Sequence, residues 1–122
     1  MRTNNYFNIP NKDHFTVAVN HINKNRALLP YVLNEKMGEF AMKSIAPLKD
    51  ATTQEPRLYK LNILKNAFLN EKLALKSRIV KLNETELELA IKVTKVKSND
   101  TDIICEAYYK VPIENYHTGR AS

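Results

Sequence analysis

Glycine, cysteine and tryptophan are nearly missing from this chain. Of 122 residues only Gly38 and Gly119 are glycines, Cys105 is the single cysteine, and there is no tryptophan. So little glycine rules out a Gly-rich loop of the kind that wraps phosphates in backbone N–H groups. One cysteine excludes an internal disulfide and a cysteine-based metal cluster. No histidine is spaced with acidic residues as metal ligands are, so neither a metal nor a cofactor is expected. Long apolar runs are missing too. None approaches the roughly 18 residues that span a bilayer, and Met1 to Asn11 lacks the apolar stretch of a signal peptide. The expectation is a cytoplasmic protein with no membrane span.

The formal charge is +6, yet the cations never gather into a block. Lys60, Lys65, Lys72, Lys76, Lys81 and Lys92 are dispersed, and no aromatic residues interleave with a basic run, so nucleic acid is not an expected partner. Lysines that solvate exposed strand faces and discourage edge pairing explain most of the charge. A phosphate-bearing coenzyme or an acidic carrier protein suits the remaining field.

What is present is periodicity. Hydrophobic residues make up 43% and charged residues 26% of the chain, the balance of a single globular domain over residues 1–122. Leu87, Leu89, Ile91 and Val93 alternate with polar neighbours. So do Ile103, Cys105, Ala107, Tyr109, Val111 and Ile113. A period of two puts each set on one face of a sheet. Strands are expected over His14–Val19, Arg57–Phe68, Lys72–Leu82, Thr85–Lys97 and Thr101–Ile113. Short turns at Leu69-Asn70-Glu71, Asn83-Glu84 and Ser98-Asn99-Asp100 make the last four antiparallel, with Asn taking the left-handed geometry that Gly usually supplies. Cys105 falls on the apolar face as a small buried hydrophobe.

A helix is expected from Pro30 to about Ala46. Pro30 suits a first helical turn, Val32, Leu33, Met37, Phe40, Ala41 and Ile45 recur at helical spacing, and Pro47 ends the run. Glu35, Lys36, Glu39 and Lys43 gather on the opposite side. Residues 1–13 read as an irregular lead-in and 114–122 as a loose tail.

One strand, one long helix and four antiparallel strands is the order of the hot-dog fold, an α+β architecture in which an antiparallel sheet wraps a central helix. The stretch Leu61-Asn62-Ile63-Leu64-Lys65-Asn66-Ala67-Phe68-Leu69-Asn70-Glu71-Lys72-Leu73 resembles the strand–turn–strand passage of hot-dog thioesterases, with Asn66, Leu69 and Asn70 at positions where that pattern has Pro, Pro and Gly. His21-Ile22-Asn23 resembles the His-Val-Asn that follows the first strand in the 4-hydroxybenzoyl-CoA thioesterase type. The carboxylate that such enzymes carry just before this histidine is missing here. His21 followed by Pro30-Tyr31-Val32-Leu33 is also similar to hydroxyacyl carrier-protein dehydratases, with Glu35 near their helix carboxylate. Glu39-Phe40-Ala41-Met42 with Ala46-Pro47 resembles thioesterases whose acid lies in the helix.

These resemblances imply an acyl thioester hydrolase acting on acyl-CoA or acyl-carrier-protein thioesters. A dehydratase-like enzyme, or a catalytically silent acyl-binding or assembly subunit, is the alternative. They also imply a homodimer or dimer of dimers, since one small sheet leaves a helix flank and an edge strand uncovered. Hydrolysis needs a carboxylate to activate water and a donor to polarise the carbonyl. Without a loop acid, Glu39 is the first candidate base and Glu35 the second. Each also has a plainer reading, Glu39 as the partner of Lys43 one turn on and Glu35 as a solvated acid favoured by the helix dipole. His21 stands as general base, substrate hydrogen-bond donor or loop residue, and Asn23 as a substrate contact or a cap. Tyr31 is read as an acyl-pocket wall or, more simply, a core aromatic.

Overall fold

The computed structural model describes residues 11–48, 54–97 and 102–113. Its strands are β1 (Asn11–Thr16), β2 (Arg57–Ile63), β3 (Lys72–Leu82), β4 (Glu86–Lys95) and β5 (Ile103–Pro112), and its one α-helix is α1 (Pro30–Ile45). The strands form one antiparallel sheet in the order β1-β3-β4-β5-β2. This is the hot-dog architecture expected from the sequence.

The topology explains the helix. β1 and β2 are adjacent along the chain but lie at opposite edges of the sheet, so the segment between them must cross a width of about 19 Å, four strand spacings. A helix of 16 residues rises about 24 Å and is long enough. Pro30 occupies its first turn, where no backbone donor is lost. Val32, Leu33, Met37, Phe40, Ala41, Ser44 and Ile45 are its buried face. Past Ile45 the chain tightens into a 3₁₀ turn, Ala46–Leu48, around Pro47. The core joins Met37, Phe40 and Ala41 of α1 to Leu89, Ile91, Tyr109 and Val111 of the sheet, as the alternation required. One polar pair lies within this contact: the Ser44 and Ser77 hydroxyls are 2.7 Å apart.

The largest departures from the sequence expectation are at β1 and β2. β1 begins at Asn11 and ends at Thr16 rather than spanning His14–Val19, so the last three residues of the lead-in belong to the sheet. The physical reason is its position: an edge strand backed by water on one side shows little apolar alternation. Val17 leaves the ladder, exchanging backbone bonds with Asn70 (2.8 Å) and Glu71 (2.9 Å), and residues 19–21 form a 3₁₀ turn. β2 stops at Ile63, five residues short of Phe68, because Leu64 and Lys65 turn their N–H groups onto the single carbonyl of Ile104. At the start of β5 a bulge between Val93 and Thr94 sends Ile104 inward, 1% exposed, and leaves Ile103 half-buried. Residues 1–10, the 114–122 tail and the Ser98-Asn99-Asp100 turn lie outside the described residues.

Asn70 has φ 73°, the left-handed geometry expected where Gly is lacking. Cys105 is fully buried with its Sγ 3.8 Å from Met37 Sδ, and burial pushes its thiol up to about 11. Tyr109 is 3% exposed, and its hydroxyl has no hydrogen-bond partner among the described residues. Among those residues no helix is long and apolar enough to cross a membrane.

Candidate active site

The candidate residues lie where the chain passes from β1 into α1. Leaving Val17, it makes the 3₁₀ turn that ends at His21. The Ala18 N–H donates to His21 Nδ1 at 3.0 Å, the backward half of a capping box. A neutral imidazole that accepts at Nδ1 carries its proton on Nε2, so His21 presents a donor. Its ring is half-buried and meets Phe15 edge-on, centroids 6.3 Å apart. The His21 carbonyl accepts the Leu29 N–H at 2.9 Å, closing the loop at the helix entrance.

Asn23 shapes that loop. Its Oδ1 accepts from the backbone N–H of Asn25 (2.8 Å) and of Ala27 (3.1 Å). This local capping holds Arg26 at φ 68°, a left-handed conformation for a residue with a side chain. Tyr31, in the first helical turn, is 66% exposed. The core-aromatic reading of Tyr31 is therefore corrected: one position past Pro30 it projects from the flank of α1, away from Val32 and Leu33.

Glu35 and Glu39 are both exposed on α1. Glu39 lines a hollow of about 260 Å³ between α1 and β1, together with Asp13, His14, Phe15, Lys36 and Lys43. The expected Glu39–Lys43 pair is replaced: Lys43 Nζ lies 2.9 Å from Asp13 Oδ2. That hydrogen bond, with another from the His14 N–H, holds the Asp13 carboxyl below its ordinary value. Lys36 places its Nζ 5.6 Å from the centre of the Phe15 ring. Phe15 thus touches His21 on one side and Lys36 on the other, standing between the loop histidine and a helix cation.

The hollow therefore unites the helix carboxylate Glu39 and the cations Lys36 and Lys43 of α1 with Asp13 of β1, while the register turns the His14 side chain to the other face of the sheet. Asp13, His14 and Lys36 were not singled out in the sequence as site residues. The start of β1 at Asn11 would have revealed Asp13, because it aligns Asp13 and Phe15 with Leu75 and Leu73. On the opposite flank of α1, a Cβ added at Gly38 would meet nothing within 4 Å. Among the described residues no cluster of His, Cys, Asp or Glu is arranged to hold a metal ion.

No protein-family model matches the chain, and no curated protein does. Solved structures do. A hypothetical thioesterase from Streptococcus pneumoniae TIGR4, solved with coenzyme A, superposes with a TM-score of 0.69 at 13% identity, covering 85% of this chain and 77% of that one. An acyl-CoA hydrolase from Staphylococcus aureus, in complex with butyryl coenzyme A, coenzyme A and coenzyme A disulfide, gives 0.70 at 10% identity, covering 85% and 62%. Zebrafish thioesterase superfamily member 2 gives 0.68 at 13%, covering 85% and 75%. The shared hot-dog fold is the conclusion that identities this low carry: the chain folds as thioesterase-superfamily proteins do.

Proposed function

We propose that this chain is a cytoplasmic acyl thioester hydrolase that works as a homodimer, or a dimer of dimers, on acyl-CoA or acyl-carrier-protein thioesters. The observation that carries the reading is Glu39, a helix carboxylate in the hollow beside Lys36, with Lys43 drawn away to Asp13. In this role Glu39 takes a proton from water as the water oxygen attacks the thioester carbonyl carbon. The carbonyl electrons move onto oxygen, where a nearby cation such as Lys36 or the His21 Nε2–H balances the charge. Collapse of the tetrahedral intermediate breaks the C–S bond. The leaving thiolate then takes the proton held by Glu39. Glu35, one turn earlier, is the second choice of base, and Asn23 and Tyr31 belong to the substrate-binding margin.

A base this exposed in a single subunit needs a cover that excludes water. Tyr31, Met42, Leu61 and Ile63 are large apolar side chains left exposed on α1 and β2, and β2 is an edge strand. A second copy laid against Tyr31 and Met42, which share the exposed side of α1 with Glu35 and Glu39, would supply the cover; Leu61 and Ile63, at the sheet edge opposite the hollow, would extend that contact. The fold neighbours solved with coenzyme A ligands support that carrier.

One observation favours the silent binding module. His21 Nδ1 and Asn23 Oδ1 are both committed to backbone N–H groups, which suits residues that hold a loop. The same commitment weighs against the dehydratase-like reading, in which His21 must accept a proton. Thiol release from a panel of short, long and aromatic acyl-CoAs, repeated with acyl-carrier-protein thioesters, separates the readings. Turnover on any of them supports the hydrolase; binding without turnover on all supports the silent module.

A further inference from the structure

The sheet face turned away from α1 carries an excess of cations over carboxylates. The register places Lys12 on β1 and Lys72, Lys76 and Arg78 on β3 with their side chains on this outer face, opposite in sense to buried Leu73 and Leu75. Lys92 on β4, Lys110 on β5 and Lys60 on β2 continue it across the other strands. Past the β3 bulge, Lys81 joins them, 3.9 Å from Glu88. Against these cations stand the carboxylates of Glu86, Glu88 and Glu106. The excess on this one face accounts for most of the formal +6 of the whole chain, while exposed α1 balances Lys36 and Lys43 with Glu35 and Glu39.

Two aromatic rings lie within this field. A bulge between Leu58 and Lys60 turns Tyr59 to the outer face, where its hydroxyl donates to Glu88 at 2.6 Å. Its ring centre is 6.4 Å from that of Tyr108, with the rings tilted by 53°. Lys110 Nζ stands 4.7 Å from the Tyr59 ring and Lys60 Nζ 5.5 Å from the Tyr108 ring. Beside Tyr108, the small side chain of Ala90 floors a recess of about 100 Å³ bounded by Arg78, Lys92 and Glu106. The sequence argued against nucleic acid because no aromatic residue sits within a basic run. The fold assembles that combination from separate strands.

We infer that the outer face of the sheet is a docking platform for single-stranded nucleic acid, bound without sequence preference through base stacking on Tyr59 and Tyr108 and phosphate contacts to the surrounding lysines and Arg78. The outer face of an antiparallel sheet, with aromatics and flanking cations, meets both needs of a single strand, a π-face for each base and a cation near each phosphate. An acidic carrier protein is the less suitable occupant. Its tethered thioester would face the far side of the sheet from Glu39, and it has no use for the tyrosines. The inference does not rest on the hydrolase reading.

Fluorescence anisotropy with labelled (dT)20 and (rU)20 on the full chain, from 50 to 200 mM salt, tests it. Binding should weaken by about 10-fold or more over that range, as release of several counterions requires. Tyr59→Ala with Tyr108→Ala should weaken binding by about 10-fold or more, and Lys60→Glu with Lys92→Glu should abolish it. Lys36→Glu, a charge reversal on the helix side, should leave it nearly unchanged, and circular dichroism confirms that each variant is folded. No binding at 50 mM salt overturns the inference. So does equal competition by polyglutamate together with full affinity in the tyrosine variant, which would identify an acidic protein partner instead.

Discussion

Lys43 Nζ bonds Asp13 Oδ2 at 2.9 Å, joining the helix to the edge strand and taking from Glu39 the cation one turn along. Both members are exposed, so the pair is worth under about 1 kcal/mol. Because Lys43 lowers the Asp13 pKa from 3.8, the contribution is present above that pH and is lost as pH falls through the lowered value. Urea unfolding should therefore show Asp13→Asn slightly destabilised at pH 7, with the difference from the parent shrinking as pH falls below 3.8. An undiminished difference at low pH would assign the loss to something other than the ion pair.

The uncovered flank of α1 and edge of β2 predict self-association. Light scattering at micromolar concentration should give a dimer or tetramer. Ile63→Lys, a charge placed on the exposed side of β2, should shift the population toward monomer. A parent protein that is monomeric at these concentrations contradicts the dimeric site.

Leu89 is 1% exposed and lies between Ile79 and Tyr109 in the register. Leu89→Ala should cost about 2 to 5 kcal/mol in denaturant unfolding, the range of buried leucine truncations. A loss below about 0.5 kcal/mol would mean that this face is not the core.

How much of this was readable in advance depended on how local the cause was. α1 announces itself through Pro30, Pro47 and the spacing of Val32, Leu33, Met37 and Phe40, and β3 was placed at Lys72–Leu82 by its own alternation and by Asn70. β1 was displaced because Asn11-Lys12-Asp13 is polar edge strand, where water takes the place of core. The inward turn of Ile104 is not legible in the sequence, because a bulge changes the register without marking it. The pairing of Lys43 with Asp13 and of Tyr59 with Tyr108 depends on sheet order, which no short window contains.

Tyr109 buries a hydroxyl that has no partner among the described residues, a state that costs about 1 to 3 kcal/mol. Tyr109→Phe keeps the ring and should leave stability unchanged or raise it at pH 7. Burial also pushes the phenol from 10.0 up to about 12. Its folded pKa is raised, so its contribution is whole below pH 10 and declines as pH rises toward 12, by up to about 1.4 kcal/mol per pH unit. The Phe variant should show a shallower alkaline loss. An equally steep one would show that Tyr109 ionises as freely in the folded protein as in the unfolded chain.

The most direct test of the account is the turnover number of Glu39→Gln, measured by thiol release on the best acyl thioester of the panel, with Glu35→Gln beside it. The amide keeps the size and hydrogen bonding of the side chain while removing the base. The account predicts a fall in kcat of about 100-fold or more for Glu39→Gln, with the fold intact. Unchanged turnover in both variants would contradict a helix carboxylate as the catalytic base.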